Sequence, residues 1–157
     1  MNERKPFHIV LIEPEIPPNT GNIARLCAAT GTILHLVGKL GFSLEDKHLR
    51  RAGLDYWHAV SLQRWDSLGE LLSAHPLARC WFTSKKAERS HVTADFQSGD
   101  FLVFGKETSG LPDALLKSHV EHTIRIPIFS GEVRSLNLST AAGIVLYEAL
   151  RQNGRLD

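Results

Sequence analysis

Short apolar runs alternate with stretches of helical periodicity along the chain. The runs that predict buried strands are rich in β-branched and aromatic residues and are bounded by turn residues. They cover residues 7–12, 33–37, 59–62, 79–83, 101–104 and 123–126. The stretches that predict helices cover residues 23–30, 44–52, 66–73, 112–118 and 136–151. Because strands and helices alternate without a repeat or a linker, the sequence predicts a single α/β domain over residues 1–157, with a mostly parallel sheet flanked by helices.

The last predicted helix is apolar on nearly every side. Its apolar residues are Leu136, Leu138, Ala141, Ala142, Ile144, Val145, Leu146, Tyr147, Ala149 and Leu150. A helix of this kind is expected to be buried all round, whereas a terminal helix of a small domain usually keeps one face in water. Two interpretations follow: a central core helix, or a helix that also lines a homodimer interface.

Composition places the chain among ordinary globular proteins. Of its 157 residues, 43% are apolar and 22% are charged, which excludes a disordered, collagen-like or coiled-coil chain. The formal net charge is only +1, from 18 basic and 17 acidic side chains, so no overall positive field would attract a nucleic acid. Composition alone therefore favours a protein that binds small molecules.

Cysteine usage and the lack of long apolar runs predict a cytoplasmic protein. Cys27 and Cys80 make neither a disulfide framework nor a paired metal site, which favours a reducing compartment. The apolar run before Glu13 is too short for a signal peptide, and no later run is long enough to span a membrane. We therefore expect a protein that is neither secreted nor membrane-bound.

The common nucleotide and metal signatures are absent from the sequence. No G-x-G-x-x-G follows the first strand, and neither a Walker lysine motif nor H-E-x-x-H occurs. His119 and His122 come closest to a metal pair, but no third ligand lies at a suitable spacing, so no metal site is expected. Cys27 falls on an apolar helical stripe, where a free cysteine acts as a small hydrophobic residue rather than a nucleophile.

Three segments contain more residues that can bind a ligand or take part in catalysis than the fold alone requires. The first is PEIPPNTGNIARLCAATG, residues 14–31, in which a turn-rich stretch leads into a helix. Arg25 lies opposite the buried stripe and faces solvent or a ligand. Asn19 and Asn22 lie at the start of the helix, where free backbone N–H groups can bind phosphate. The alternative is a solvated arginine and a capping asparagine.

The second and third segments each contain a loop that follows an apolar strand. In FGKETSGLP, residues 104–112, Gly105 and Gly110 flank Glu107 at the carboxyl end of a strand, the place where open α/β sheets bind ligands. The alternative is a plain tight turn. In RIPIFSGEVRSLNLSTAAG, residues 125–143, a cap for the last helix can come from Ser135, Asn137 or Ser139. Capping does not explain Arg134.

In this order and at these separations, the three segments resemble the three motifs of the SPOUT class of RNA methyltransferases. The resemblance is closest to the TrmL family, minimal tRNA 2′-O-methyltransferases that modify the wobble nucleotide of leucine tRNAs. It covers essentially the whole chain and includes KHLRRAGLDYW at residues 47–57 and RIPI at residues 125–128. The spacer FSGEV before Arg134 departs from the family's pattern.

The resemblance implies a C-terminal trefoil knot that binds S-adenosylmethionine, bent among three loops, without a metal. By the same resemblance the cofactor pocket is lined by Phe82, Thr83, Gly105, Glu107, Gly110, Ile126, Ser135 and Leu136. Asn19 and Arg25 match a catalytic pair of related 2′-O-methyltransferases, in which the arginine is proposed to take the hydroxyl proton. Since guanidinium stays protonated far above neutral pH, we expect Arg25 instead to hold the adjacent phosphate and stabilise the developing alkoxide.

The partners implied by the resemblance are a second copy of the chain and the anticodon loop of leucine tRNAs. Arg134 is assigned to a substrate phosphate across the dimer, and Tyr147 to the dimer interface. Two basic clusters predict RNA contacts unless they are solvated faces: Lys47, Arg50 and Arg51, and Lys85, Lys86 and Arg89. Tyr56 and Trp57 are candidates for stacking on bases. The alternatives are a methyltransferase for another RNA, such as ribosomal RNA, and a non-catalytic RNA-binding module.

Overall fold

A computed structural model describes residues 4–52 and 56–157, and in these ranges seven strands form one sheet. The strands are β1 (His8–Ile12), β2 (Ile33–Val37), β3 (Leu62–Trp65), β4 (Cys80–Thr83), β5 (Arg89–Ser90), β6 (Phe101–Phe104) and β7 (Thr123–Arg125). The helices are α1 (Pro17–Thr30), α2 (Lys47–Ala52), α3 (Leu68–Ala74), α4 (Asp113–Ser118) and α5 (Leu138–Gln152). Every strand pairing is parallel, in the order β3-β2-β1-β6-β4-β7-β5. The predicted parallel α/β fold is confirmed.

The sheet is buried on both faces, as its continuous apolar strands require. On one face, Ile9 and Leu102 pack in a core with Ile23 of α1 and Val145 of α5. On the other face, Val103 belongs to a second core that includes Leu71 of α3 and partly buried residues of α4. The first residues of α1 and α5 are consequently held near the carboxyl ends of the central strands.

Several predicted boundaries are wrong, and each has a local or tertiary cause. Helix α1 begins at Pro17, not at residue 23, because a distant carboxylate, described below, accepts the backbone N–H groups of the two residues that precede it. Strand β3 lies three residues later than predicted, since residues 57–59 form a 3₁₀ turn. Strand β5 has only two residues, too few for a recognisable apolar run. Pro112 precedes α4 rather than starting it.

Helix α5 is not buried on every side of the described chain. Val145 and Leu146 are completely buried, whereas Tyr147 is 45% exposed. The expectation of all-round burial is therefore wrong for one copy of the chain by itself. The homodimer, the trefoil knot and the single domain over residues 1–157 stay predictions.

The residues considered for metal binding and nucleophilic chemistry have structural roles. His119 Nδ1 lies 3.0 Å from the Leu115 carbonyl oxygen, and His122 Nδ1 lies 3.1 Å from the carbonyl oxygen of Cys80. Burial raises the pKa of both the Cys27 and Cys80 thiols to about 12. In the described ranges no group of three or more His, Cys, Asp or Glu is arranged to hold a metal ion, and no helix is long and apolar enough to cross a membrane.

A chain of hydrogen bonds fixes the tautomers of two histidines in the sheet. The Trp65 indole N–H donates to His35 Nδ1 at 3.0 Å, so the neutral ring of His35 carries its proton on Nε2. That N–H donates in turn to His8 Nδ1 at 2.8 Å. Burial of these rings lowers the pKa of His8 to about 4 and that of His35 to about 3.

We expect the stability of the protein to fall when the pH is lowered below about 6.5. Both histidines stay neutral in the folded chain, whereas their unfolded pKa is 6.5. The unfolded state therefore binds more protons from about pH 6.5 down to about pH 3, and the stability present above pH 6.5 is lost across that window. Thermal melts of wild type and His35→Phe at several pH values test this. The variant should lose less Tm per pH unit than wild type, whereas His48→Phe, at an exposed position, should match wild type.

Candidate active site

A cleft of about 570 Å³ lies beyond the carboxyl ends of β6, β4 and β7, which are neighbours in the sheet. Three loops line it, one after each strand, together with the start of α1 and of α5. Ligands of open parallel sheets bind at this edge because loops and helix N-termini converge there. The volume is in the range typical of small-molecule and cofactor sites.

The cleft contains all of the predicted cofactor residues except one. Those that line it are Thr83, Gly105, Glu107, Gly110, Ile126, Ser135 and Leu136. Phe82 is the exception, because its side chain is completely buried in the second core. Consecutive residues of a strand point to opposite faces, so Thr83 reaches the cleft and Phe82 does not.

Glu107 uses both carboxylate oxygens to hold the start of α1. Its Oε1 accepts the backbone N–H of Glu15 at 2.8 Å, and its Oε2 accepts the N–H of Ile16 at 2.9 Å and the Asn19 amide at 3.1 Å. A carboxylate at this end of a helix also interacts favourably with the helix dipole. Glu107 therefore both lines the cleft and holds the start of α1, and its contact with the cofactor stays a prediction.

Asn19 connects Glu107 to the third segment. It is the third residue of α1 and is 5% exposed, so it is not a helix cap. Its Oδ1 accepts the side-chain amide of Asn137 at 3.0 Å. Asn137 Oδ1 in turn accepts the N–H groups of Ser139 and Thr140 and caps α5. The sequence identified Asn137 only as a candidate cap, so its contact with Asn19 was missed.

A second set of contacts joins the loop after β6 to the segment after β1. Glu15 Oε1 accepts the Thr108 hydroxyl at 2.7 Å and the Thr108 N–H at 3.1 Å. The hydroxyl hydrogen bond is the main reason why the pKa of Glu15 is lowered. Lys106 Nζ lies 3.7 Å from Glu13, a residue with a left-handed backbone (φ 50°). These contacts hold one wall of the cleft in a defined position.

The two glycines of the loop after β6 are required by its shape. A Cβ at Gly105 would lie 2.1 Å from the carbonyl carbon of Gly110 and 2.3 Å from the nitrogen of Leu111. Gly110 has φ +68°, a conformation that favours glycine. The loop is closed by the N–H of Gly110, which donates to the Lys106 carbonyl at 2.8 Å. A pinched turn therefore accounts for both glycines, and the same turn forms part of the cleft.

The two arginines predicted to be catalytic lie outside the cleft. Arg25 is exposed on α1, and its guanidinium carbon lies 4.9 Å from the centre of the Tyr56 ring. It is six residues beyond Asn19, about 9 Å along a helix axis. Arg134 is exposed and lines a smaller cavity of about 310 Å³ beside the cleft. Of the predicted catalytic residues, only Asn19 lines the cleft.

The basic clusters are partly engaged by groups of the chain itself. Lys86 pairs with Asp113 at 2.9 Å, and Arg50 pairs with Glu45 at 3.3 Å. The guanidinium of Arg50 also packs on Trp57, as that of Arg25 does on Tyr56. Each of these two aromatic rings thus already has an arginine against it, and Trp57 also packs against the first core.

The cleft fits an adenosyl cofactor. Apolar side chains such as Ile126 and Leu136 lie next to polar groups in its wall, the mixture that orients a nucleoside. The Thr83 hydroxyl is buried, lines the cleft and has no hydrogen-bond partner among the described residues. A buried hydroxyl of this kind is expected to bind a polar atom of a ligand.

The contacts of Glu107 predict a measurable contribution to stability. Replacing it by alanine leaves the N–H groups of Glu15 and Ile16 and the Asn19 amide without their acceptor. We therefore expect the free energy of unfolding to fall by about 2 kcal/mol. Urea denaturation measures this change. Glu121→Ala is the matched control, because Glu121 is exposed and its side chain has no hydrogen-bond partner among residues 4–52 and 56–157. Equal stability of the two variants would contradict the capping role of Glu107.

Sequence comparison assigns a family to this fold and cleft. The chain belongs to the SpoU rRNA Methylase family, which it matches over residues 6–147. The methyltransferase family expected from the three segments is thereby confirmed.

Individual relatives match nearly the whole chain. The chain is 51% identical over 148 residues to the tRNA (cytidine(34)-2′-O)-methyltransferase of Methylovorus glucosotrophus, covering 94% of this chain and 96% of that protein. It is 47% identical over 149 residues to the protein of the same name in Escherichia coli K12, covering 94% of each.

Solved structures support the same relationship. A structure from work on the 2-OH methylation of C/U34 on tRNA superposes with a TM-score of 0.91 at 46% identity, covering 97% of this chain and 99% of that one. The SpoU methyltransferase AviRb of Streptomyces viridochromogenes, in complex with AdoMet, superposes with a TM-score of 0.85 at 26% identity. That match covers 97% of this chain and 62% of AviRb.

Proposed function

We propose that this protein transfers a methyl group from S-adenosylmethionine to the ribose 2′-hydroxyl of nucleotide 34, the wobble position, in leucine tRNAs. The observation that carries the proposal is identity of about half to proteins named for methylation of cytidine 34, over almost the entire chain. The cleft beyond β6, β4 and β7 supports the cofactor part, since a related structure contains AdoMet. A cytoplasmic location follows from the substrate.

The residues of the cleft have defined parts in this reaction. S-adenosylmethionine, when bound, supplies an electrophilic methyl group on a sulfonium ion. Thr83, Ile126 and Leu136 would hold it, the threonine by hydrogen bonding and the two apolar side chains by excluding water. Glu107 and Asn137 act through Asn19 and fix the start of α1 against the cleft wall. The chain thereby aligns the hydroxyl that is to be methylated, which is the main source of catalysis for a transfer of this kind.

Arg25 acts on the substrate rather than on the cofactor. Its guanidinium remains charged and cannot accept a proton at neutral pH. It holds the phosphate next to the target ribose and stabilises negative charge that develops on the 2′-oxygen, while the proton leaves through phosphate or water. The Tyr56 ring beneath it limits the orientations of the guanidinium.

A homodimer is part of the proposal because Arg25 and the cleft are separated within one chain. In a dimer, Arg25 of one copy would reach the substrate bound at the cleft of the other, whereas Arg134 lies beside the cleft of its own chain. The half-exposed aromatic side chain of Tyr147 on α5 supports a contact between copies. Sedimentation of the purified protein at two concentrations tests this part separately.

The main alternative is methylation of ribosomal RNA by the same chemistry. The description of the family names rRNA, but a structure named as an rRNA methyltransferase, from Sinorhizobium meliloti, is only 26% identical, against 46% for the structure from work on C/U34. The tRNA assignment is therefore favoured. A non-catalytic RNA-binding module is the other alternative, and isothermal calorimetry with S-adenosylmethionine separates it, since such a module would bind no cofactor.

The experiment that tests the proposal compares tRNA from a strain that lacks the gene with tRNA from its parent. Mass spectrometry of the leucine tRNAs should show that 2′-O-methylation at nucleotide 34 is lost and that it returns when the gene is supplied on a plasmid. Unchanged methylation at nucleotide 34, together with a loss in ribosomal RNA, would establish the alternative.

A further inference from the structure

Three cations surround the small cavity beside the cleft. Its lining contains Lys85, Arg125 and Arg134, and none of its lining residues is acidic. Lys85, together with Ile126 and Ile128, also lines the larger cleft, so the two cavities are adjacent. A ligand that occupies both would pass directly from the methyl-transfer site into a basic environment.

The charges of this cavity are not balanced by carboxylates. In the described part of the chain, ion pairs within 4 Å engage Arg50, Arg79, Lys86, Lys106 and Arg151. Neither Lys85, Arg125 nor Arg134 is among them. Arg125 is held in place by the carbonyl oxygens of Ala87 and Glu88, at 3.2 and 2.7 Å, which fixes its position without neutralising its charge. The cavity is therefore suited to binding an anion.

An almost fully exposed aromatic residue, Phe129, adjoins this cavity in the chain. Phe129 lies between Ile128 and Ser130, both of which line the cavity, and its side chain is 98% exposed. An exposed phenylalanine beside three basic side chains without an ion-pair partner is typical of sites for single-stranded nucleic acid. In such sites phosphates bind the basic side chains and a base stacks on the ring. An apolar protein partner would not account for the cations.

The geometry points to a nucleotide subsite at this cavity, in which Lys85, Arg125 and Arg134 hold the phosphates of an RNA strand and Phe129 stacks on one of its bases. This inference rests on the proposed function and extends it: the strand is the one that flanks the methylated nucleotide in the anticodon loop. Stacking on Phe129 contributes to the affinity for the loop and not to the affinity for the cofactor.

Fluorescence anisotropy with a labelled anticodon stem-loop RNA tests the stacking contact. Phe129→Ala should raise the Kd for this RNA about 5- to 100-fold, the range of base–aromatic stacking, whereas Phe129→Tyr should stay within about 2-fold of wild type. The Kd for S-adenosylmethionine should not change. Leu77→Ala is the matched control. Leu77 is also almost fully exposed (96%), but it precedes β4 and so lies at the amino ends of the strands, away from the cleft at their carboxyl ends.

The salt dependence of the same binding tests the phosphate contacts. Lys85→Gln and Arg134→Gln should each reduce the slope of log Kd against log salt by about 0.7 to 0.9, while Arg64→Gln on the far edge strand β3 should leave it unchanged.

Several results would overturn the subsite. They are an RNA affinity of Phe129→Ala equal to that of wild type, no binding of the stem-loop by wild type, or dissociation of a wild-type dimer by Phe129→Ala, which would make the ring a contact between copies. If Phe129→Ala weakens binding of the stem-loop but the wild-type protein does not methylate nucleotide 34, the proposed function is refuted and the subsite is supported.

Discussion

Arg25→Lys is expected to lower kcat for tRNA methylation about 100-fold or more while the protein remains folded and binds S-adenosylmethionine normally. The charge is kept, but the planar guanidinium that can hold a phosphate with two parallel hydrogen bonds is lost. Removing one aligned donor to a developing oxyanion typically costs this much in kcat. Cofactor binding should be unaffected, because Arg25 does not line the cleft.

Single-turnover methylation assays with saturating tRNA measure the effect of Arg25→Lys, and calorimetry measures the cofactor Kd. Arg64→Lys is the matched control, since Arg64 is exposed on β3, at the edge of the sheet far from the cleft. Turnover of Arg25→Lys close to that of wild type would show that guanidinium geometry is not required.

Gly105→Ala is expected to weaken cofactor binding at least about tenfold and to lower the free energy of unfolding by about 2 kcal/mol. The added methyl group would lie about 2 Å from backbone atoms of Gly110 and Leu111, and backbone cannot move aside as the end of a flexible side chain can. The turn would therefore open, and both Gly105 and Gly110 form part of the cleft wall.

Calorimetry and urea denaturation measure the two effects of Gly105→Ala. Gly69→Ala in α3 is the matched control, because an added Cβ there meets only the Ser67 hydroxyl, at an ordinary 3.7 Å. Alanine in this first turn of α3 should leave cofactor binding unchanged and should not lower stability. Normal cofactor affinity in Gly105→Ala would refute the account of the pinched turn.

The alternation of strands and helices could be predicted from sequence because each buried strand is a local pattern. Strands β2 and β6 have the predicted bounds, since their apolar runs end abruptly at turn residues. The start of α1 could not be predicted, because its stabilising carboxylate, Glu107, lies 91 residues beyond Ile16 in the chain. Local propensity carries no information about a contact of that kind.

The candidate site was predicted at the level of segments rather than of side-chain roles. Motif order placed Gly105 and Asn19 at the cleft, but it could not distinguish a residue that binds ligand from one that fixes the wall. Glu107 fixes the wall, and its hydrogen bonds to the start of α1 form only when two segments distant in sequence meet. Strand alternation predicts that only one of Phe82 and Thr83 directs its side chain to the cleft, and the structure identifies that residue as Thr83.

The low net charge of +1 is compatible with an RNA substrate when charge is considered locally. Lys85, Arg125 and Arg134 concentrate positive charge at one cavity, while acidic residues elsewhere balance the total. We therefore expect modest affinity for unrelated RNA and a specificity determined by the shape and bases of the anticodon loop.

The most direct test of the central claim is methylation by the purified protein. Leucine tRNA from a strain lacking the gene is incubated with the protein and S-adenosylmethionine, digested with nuclease and analysed by mass spectrometry. The account predicts one added methyl group, on the ribose 2′-oxygen of nucleotide 34 and at no other position. A tRNA that stays unmodified, or that gains the methyl group on a base or at another nucleotide, would contradict it.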